Sequence, residues 1–398
     1  MKMNKSFLLK ISLSGIVLLA SAELGAQTST EEFLHRVAER SFYVEAGRAE
    51  ADARIAGTRS GQVDDPEVEY GYMPGIEETE GRRMSYGISQ QFAWPGEYAA
   101  RSKYYKLERE QAETEFRAGR QEFLLRVKLL CYEIVHAQKR QALLDWQYTH
   151  ARQAAELTQK RLSLGEATAL DANNARLSLS AIHTQWLEGA TSLEIMHKQL
   201  ALLAGFADFD THAFAYAEYP DENIDDLLAQ AQAADLFVRT AQLESDKSRR
   251  NVSIVRGASM PSFRVGVAGE RITATDSFLG VTAGVSIPLW GGSGSVKIAR
   301  AQHVATELRT QTLRADIESE LVELAANARQ LRENLAQYDS LRDVQESKTL
   351  LYKSFEQKHI SVLDYITNLS FLSQIEQEYL GLELKLYRTL AELTKFRL

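Results

Sequence analysis

The chain has 398 residues, a formal net charge of −8 and a single cysteine, Cys131. The acidic balance argues against a general nucleic-acid binder, whose footprint is a basic patch. One cysteine excludes an intrachain disulfide framework, so stability has to come from packing.

Lys2, Lys5 and Lys10 precede the apolar run from Ile11 to Ala20, with small-residue sites at Ala20-Ser21-Ala22 and Leu24-Gly25-Ala26. That is the layout of a secretory signal peptide, so residues 1–26 are set aside from fold reasoning. Cys131 lies too far from this leader to carry an N-terminal lipid anchor. No later stretch approaches the roughly 18–20 apolar residues of a spanning helix, so any passage through a membrane is made by strands. Residues 27–65 read as an N-terminal helical segment.

Residues 66–94 read as a hairpin opened by Pro66. Its first strand alternates Val68, Tyr70 and Tyr72 with Glu67, Glu69 and Gly71. The second runs from Met84 to Trp94, with Met84, Tyr86, Ile88, Phe92 and Trp94 on one face, interrupted by Gln90. Ser85, Gly87, Ser89, Gln91 and Ala93 occupy the other. After the break Trp94-Pro95-Gly96 comes a first long helical pair, 95–204. Its first arm has no proline from Gly96 to Leu164 and is dense in good helix formers. At ~1.5 Å per residue it reaches about 100 Å, far beyond a globular core, and suggests coiled-coil or tube packing. Gly165 supplies a left-handed C-terminal cap, Thr168 caps the returning helix, and Asp171 sits at its N3 position, where a carboxylate favours the helix dipole.

Residues 205–260 combine an aromatic, acidic linker, Gly205 to Pro220, with a helical pattern from Asp221 to Arg256 that continues the layer of the shorter returning helices. Residues 261–292 form a second hairpin: Phe263, Val265 and Val267 alternate with Ser262, Arg264, Gly266 and Ala268. From Leu279 to Leu289, Val281, Ala283, Val285 and Ile287 alternate with Gly280, Thr282, Gly284 and Ser286. A second long helical pair, 293–398, has a proline-free first arm to Gln357, a turn at Lys358 and Ser361-Val362-Leu363-Asp364, and a returning helix. The two halves repeat one plan at an offset of about 195 residues, which reads as an internal duplication.

Two readings of the strands stand side by side. They can be ordinary hairpins resting on helices, which the alternation fits equally well. Alternatively, strands of about 9–11 residues with aromatics near their ends suit a transmembrane barrel, and four are too few to close one, so the remainder come from other protomers. Enzymatic signatures are absent: there is no His-Glu-x-x-His, no Gly-x-Ser-x-Gly and no phosphate loop, and the eight histidines are scattered. No catalytic residue, metal site or cofactor is expected. Cys131, between Leu130 and Tyr132, reads as a small buried hydrophobe.

Taken together in order and separation, these features resemble the TolC-like outer-membrane efflux proteins. The resemblance spans nearly all of the mature chain. It is carried by the duplication, by Pro261 and the run Val285-Ser286-Ile287-Pro288-Leu289-Trp290-Gly291-Gly292, and by Gly165-x-x-Thr168-x-Leu170-Asp171 with Ser361-x-Leu363-Asp364. Asn174-Ala175-Arg176 adds to it. The fold it implies is a mixed α and β membrane protein: a homotrimer whose chains each give four strands to one twelve-stranded barrel, continuous with a long periplasmic α-helical tunnel. The function it implies is a passive duct in the outer membrane, in contact with its lipid, served by a periplasmic adaptor (membrane fusion) protein and an inner-membrane RND or other efflux transporter. Asp364 matches a gate aspartate, Asp171 is its counterpart, and Thr367 stands where a second gate aspartate can occur. Gly165, Thr168, Leu170, Lys358, Ser361 and Leu363 fall on the adaptor-contacting turns, with Lys358 replacing the usual turn glycine. The run Ser89-Gln90-Gln91-Phe92-Ala93-Trp94-Pro95-Gly96-Glu97, with Arg101, resembles the branch paired with heavy-metal RND pumps. The competing expectation is a periplasmic coiled-coil scaffold with soluble hairpins.

Overall fold

The computed structural model describes residues 29–59, 63–75, 82–217, 222–272, 276–288 and 292–398. The signal-peptide reading of residues 1–26 and the Leu289-Trp290-Gly291 part of the second strand-to-helix break lie outside the described residues.

Four strands form one antiparallel sheet in sequence order: β1 (Glu67–Pro74), β2 (Arg82–Phe92), β3 (Ser262–Ile272) and β4 (Ser277–Ser286). The central pairing is β2 with β3, which joins the two halves of the chain through Ile88↔Val267, Gln90↔Val265 and Phe92↔Phe263. The two hairpins are therefore one sheet. Register fixes its faces. Val68, Ile88, Val267 and Val281 form one row and Tyr70, Tyr86, Gly269 and Leu279 the next. On the opposite face Glu67, Ser89, Gly266 and Thr282 align, as do Glu69, Gly87, Ala268 and Gly280. Along these rows one face is thus large and apolar and the other small and polar, while at the end away from the helices Met73, Ile272 and Phe278 fall on the second face. Gly269 is the exception that the fold explains, because the Tyr86 ring lies over it where a Cβ would stand.

The apolar face is uncovered. Val68 is 79% exposed, Leu279 75% and Val281 78%. A soluble hairpin resting on helices would bury that face, so this reading of the strands is set aside. The second strand also ends earlier than its alternation suggests: Trp94 is the N-cap of the following helix, and Pro95 takes the first helical position, where its fixed φ and missing N–H cost nothing.

Helix α1 (Thr30–Arg40) and α2 (Phe42–Gly57) precede the sheet. After β2 come α3 (Pro95–Ser163, 69 residues) and α4 (Ala169–Ala204). In the second half α5 (Ile224–Ala234) and α6 (Leu236–Ala258) precede β3. After β4 come α7 (Gly292–Ala336), α8 (Leu341–Glu356) and α9 (Val362–Leu393). The duplication therefore includes the leading helix pairs. Ser29 and Ser41 cap α1 and α2 as Asn223 and Asp235 cap α5 and α6, and each pair of caps keeps the offset of about 195 residues.

Next to the sheet, α3 is flanked by α2 and α6. Arg54 meets Glu108 at 2.8 Å, Lys247 meets Glu108 at 2.5 Å, and Gly257 lies against Glu97. Farther along, α4 takes over as the neighbour, with Gly189 against Gln141 and Leu144. Between these zones, Phe33 and Val37 of α1, Val127, Cys131 and Ile134 of α3, and Leu200 and Ala204 of α4 form a core cluster, each with no exposed surface. Phe206, Phe209 and Phe214, from the stretch after α4, pack on Phe33 at ring distances of 5.7, 5.0 and 5.1 Å. Burial pushes the Cys131 thiol above its ordinary range, which leaves it protonated and inert.

The expected uninterrupted arm from Ser293 to Gln357 is corrected. A 3₁₀ segment, Gln337–Ser340, separates α7 from α8, and Tyr338 leaves helical geometry at φ −86°, ψ 21°. No proline marks the break. Tyr338-Asp339-Ser340 is a run of residue types with weak helix propensity, and Asp and Ser favour starting a new helix over continuing an old one. In the first half the weak run within α3, Tyr148-Thr149-His150, carries neither Asp nor Ser, and that helix continues unbroken.

Candidate functional site

The two helix turns are built by the same local rules. At the end of α3, Glu166 N–H donates to Arg161 O at 2.8 Å and Gly165 N–H to Leu162 O at 3.0 Å. This double closure needs a left-handed residue, and Gly165 supplies it at φ 74°. At the end of α8, His359 N–H donates to Ser354 O at 2.9 Å and Lys358 N–H to Phe355 O at 3.2 Å, with Lys358 at φ 61°. Lysine thus holds the backbone shape that glycine holds in the other turn, at a cost of about 1 kcal/mol.

Each returning helix opens with a reciprocal cap. Asp171 N–H donates to Thr168 Oγ1 at 3.1 Å, while the Thr168 N–H and hydroxyl donate to Asp171 Oδ2 at 3.0 and 2.7 Å. Ser361 and Asp364 repeat the arrangement at 3.1, 3.3 and 2.7 Å. The Thr168 hydroxyl and then its backbone N–H hold the Asp171 carboxyl below the usual carboxylate range. Leu170 and Leu363, at matching second positions of α4 and α9, are 67% and 61% exposed. Thr367 is exposed one turn beyond Asp364. Asn368, alongside, donates to Asp364 O at 2.8 Å.

The turns are also tied to each other. Lys358 Nζ meets Glu166 Oε2 at 2.7 Å, an ion pair between the two tips that holds the Glu166 carboxyl below its ordinary range. Arg161, nearly buried, donates from Nη2 to Phe355 O at 2.9 Å and Glu356 O at 3.1 Å and lies over the Phe355 ring at 4.9 Å. Its guanidinium adds a second donor to Phe355 O, which also accepts from Lys358 N–H, and reaches Glu356 O beside it at the end of α8. Arg161 was not singled out in the sequence, where it is one of many cations on a long helix; nothing local marks a contact made 195 residues away.

Replacing Arg161 by Ala should release this end. Loss of two hydrogen bonds from a charged donor costs about 3 kcal/mol locally. Amide hydrogen exchange at Lys358 and His359 should then accelerate by about a hundredfold. Unchanged exchange at both would show that Arg161 does not hold the tips together.

Among the described residues no helix is long and apolar enough to cross a membrane, and no group of three or more His, Cys, Asp or Glu residues is placed to hold a metal. The chemistry offered is therefore that of surfaces and charges: an uncovered apolar sheet face at one end, and paired, carboxylate-bearing helix turns at the other.

This combination of a four-stranded antiparallel sheet with long paired helices is the fold seen in solved outer-membrane channel structures, and the TolC-like reading of the sequence holds at the level of the fold. No protein-family model and no curated protein matches the sequence. Among solved structures, the chain is similar to CusC, described in connection with transmembrane channel formation, with 13% identity and a TM-score of 0.76 over 92% of this chain and 91% of that one. It is similar to the Campylobacter jejuni CmeC outer membrane channel, with 13% identity and a TM-score of 0.74 over 92% and 85%. It also resembles the outer membrane protein VceC of Vibrio cholerae, with 14% identity and a TM-score of 0.70 over 91% and 96%.

Proposed function

We propose that the chain is the outer-membrane channel subunit of a tripartite export system. The observation that carries this reading is the sheet, with one apolar face uncovered and β1 and β4 left as its two edges. Exposed edges and an exposed apolar face are both aggregation hazards in water. Closure into a barrel in lipid removes both. Three copies give twelve strands, within the range of known barrels, whereas four strands cannot close. The apolar face then meets lipid and the small, polar face lines the lumen. The helices extend into the periplasm as a tunnel, with the two turns at its far entrance.

In that setting Asp171, Asp364 and Thr367 from three copies ring the entrance, and Gly165, Thr168, Leu170, Lys358, Ser361 and Leu363 present the turns to a periplasmic adaptor. Leu170 and Leu363 are its apolar anchors, at equivalent positions on the two tips. The inner-membrane partner is an RND-type transporter and the cargo class heavy-metal cations. The support for this is the run from Ser89 to Glu97 with Arg101, whose guanidinium meets Glu97 at 2.5 Å. A strain lacking the protein should lose tolerance to heavy-metal salts; full tolerance would remove that cargo.

The assembly is tested by fractionation followed by native mass spectrometry of the extracted protein. Recovery from the outer membrane as a three-chain particle, released only by detergent, is expected. Recovery as a detergent-free monomer in the soluble periplasm would establish the coiled-coil scaffold instead.

A further inference from the structure

The internal duplication extends from the elements to their packing. The caps Ser41 and Asp235 align α2 with α6, and Gly96 and Gly292 align α3 with α7. On that alignment the α6–α7 contact repeats the α2–α3 contact in register. The Thr310 hydroxyl of α7 donates to Ala241 O of α6 at 3.1 Å, and their counterparts, Thr114 and Gly47, adjoin Glu113 and Arg48, which meet at 2.8 Å. Among the described residues next to the sheet, α3 packs against α2 on one flank and α6 on the other. There α7 packs against α6 and has no helix on its second flank.

The alignment also says which residues a neighbour for α7 should cover. Lys247 of α6 faces α3, with its Nζ 2.5 Å from Glu108 and 5.4 Å above the Tyr104 ring, and Glu244 joins it at 3.1 Å. Lys247 and Leu243, one turn before it, are buried. Their counterparts on α2 are Ala53 and Ala49, both exposed, and with Ala46 and Ala56 they form a stripe at three- and four-residue steps. The counterparts of Glu108 and Tyr104 on α7 are Val304, 53% exposed, and Arg300, also exposed. Glu244 corresponds to Glu50, exposed on α2. Neither Glu50 nor Arg300 has an ion pair among the described residues, so one flank offers a free carboxylate and the other a free guanidinium. The chain order brings the two flanks together: α2 leads into the edge strand β1, and α7 follows the edge strand β4.

Resting on the channel reading above, we propose that α2 of one copy docks on α7 of the next in the geometry that α6 adopts on α3. Ala49 and Ala53 lie against Val304, and Glu50 pairs with Arg300. The buried ion pair that joins the two halves within a chain gives way, between copies, to an apolar contact of small residues with a single charge pair at its margin. Alanine permits the close approach, and the charge pair fixes the register.

The test uses detergent-extracted full-length A53C/V304C treated with a short bis-maleimide. Cys131, with no exposed surface, does not react. Covalent dimers and trimers on denaturing gels are the expected result. A53C/V322C should give none, because Val322 is exposed about five turns farther along α7. In native mass spectrometry E50R and R300E should each weaken trimer formation about tenfold, a modest ion-pair effect repeated at three boundaries, and E50R/R300E should restore it. A three-chain particle whose A53C/V304C form yields no covalent oligomer, or no more than A53C/V322C yields, would overturn the interface and leave the channel reading standing. Trimers unaffected by either single reversal, or not restored by the combination, would overturn the Glu50–Arg300 pairing. A wild-type protein that is monomeric when extracted would overturn the channel reading and the interface with it.

Discussion

An arginine at Val281 should abolish assembly in the outer membrane, while an arginine at the next residue, Thr282, should leave it intact. The two positions are adjacent in β4 and point to opposite faces, with Val281 beside Val267 and Thr282 beside Gly266. Val281 stands near mid-height of the apolar face, where a cation exposed to lipid costs about 2–4 kcal/mol in each copy, a cost a trimer incurs three times. In the proposed barrel Thr282 faces the lumen, where the charge stays hydrated. The amount of oligomer resistant to extraction by alkaline wash reads the difference. Equal amounts from both variants would mean that the sheet does not present its apolar face to lipid.

The second large effect concerns the entrance. Polyvalent cations added on the helix side should block conduction through the wild-type pore, and D171N/D364N should weaken that block by at least about tenfold, since a ring of one sign concentrates counter-ions. Asparagine is the informative replacement. It keeps a side-chain acceptor for Thr168 and Ser361, so the caps persist while the charge is lost. Alanine would remove both, and a helix-end defect could then pass for a gating effect. The Thr168 contacts hold Asp171 below the ordinary carboxylate range, so acidification from neutral towards pH 5 should not reproduce its substitution. Unchanged block in the double variant would leave these carboxylates as caps alone.

What could be read in the sequence was whatever local chemistry specifies. Alternation along Met84 to Phe92 and Leu279 to Val285 gave the faces of β2 and β4, because side chains in a strand alternate regardless of context. Thr168 with Asp171 and Ser361 with Asp364 were legible as caps because the residues of a cap are three apart in the chain. Lys358 stood out from the sequence as an oddity. The structure shows why it is tolerated: the backbone remains left-handed and the side chain gains Glu166 on the other tip.

Contacts between distant segments were not legible. The β2–β3 pairing that makes one sheet of two hairpins depends on matching Phe92 with Phe263, and periodicity within either strand says nothing about its partner. Arg161 and its carbonyl partners on α8 were missed for the same reason. The equivalence of the leading helices was available in principle, since Ser29 and Ser41 stand to α1 and α2 as Asn223 and Asp235 stand to α5 and α6. Ser, Asn and Asp cap interchangeably, which hides the match from residue identity. The break after Ala336 lacks the proline or glycine that usually announces one.

The account rests on the chain forming a continuous aqueous path, and the most direct measurement is current across a planar bilayer after adding purified, detergent-extracted wild-type protein. Stepwise, long-lived conductance increments, blocked asymmetrically by polyvalent cations from the side facing the helices, are the predicted result. A protein that inserts as an oligomer but never conducts, even after D171N/D364N substitution at the entrance, would contradict it.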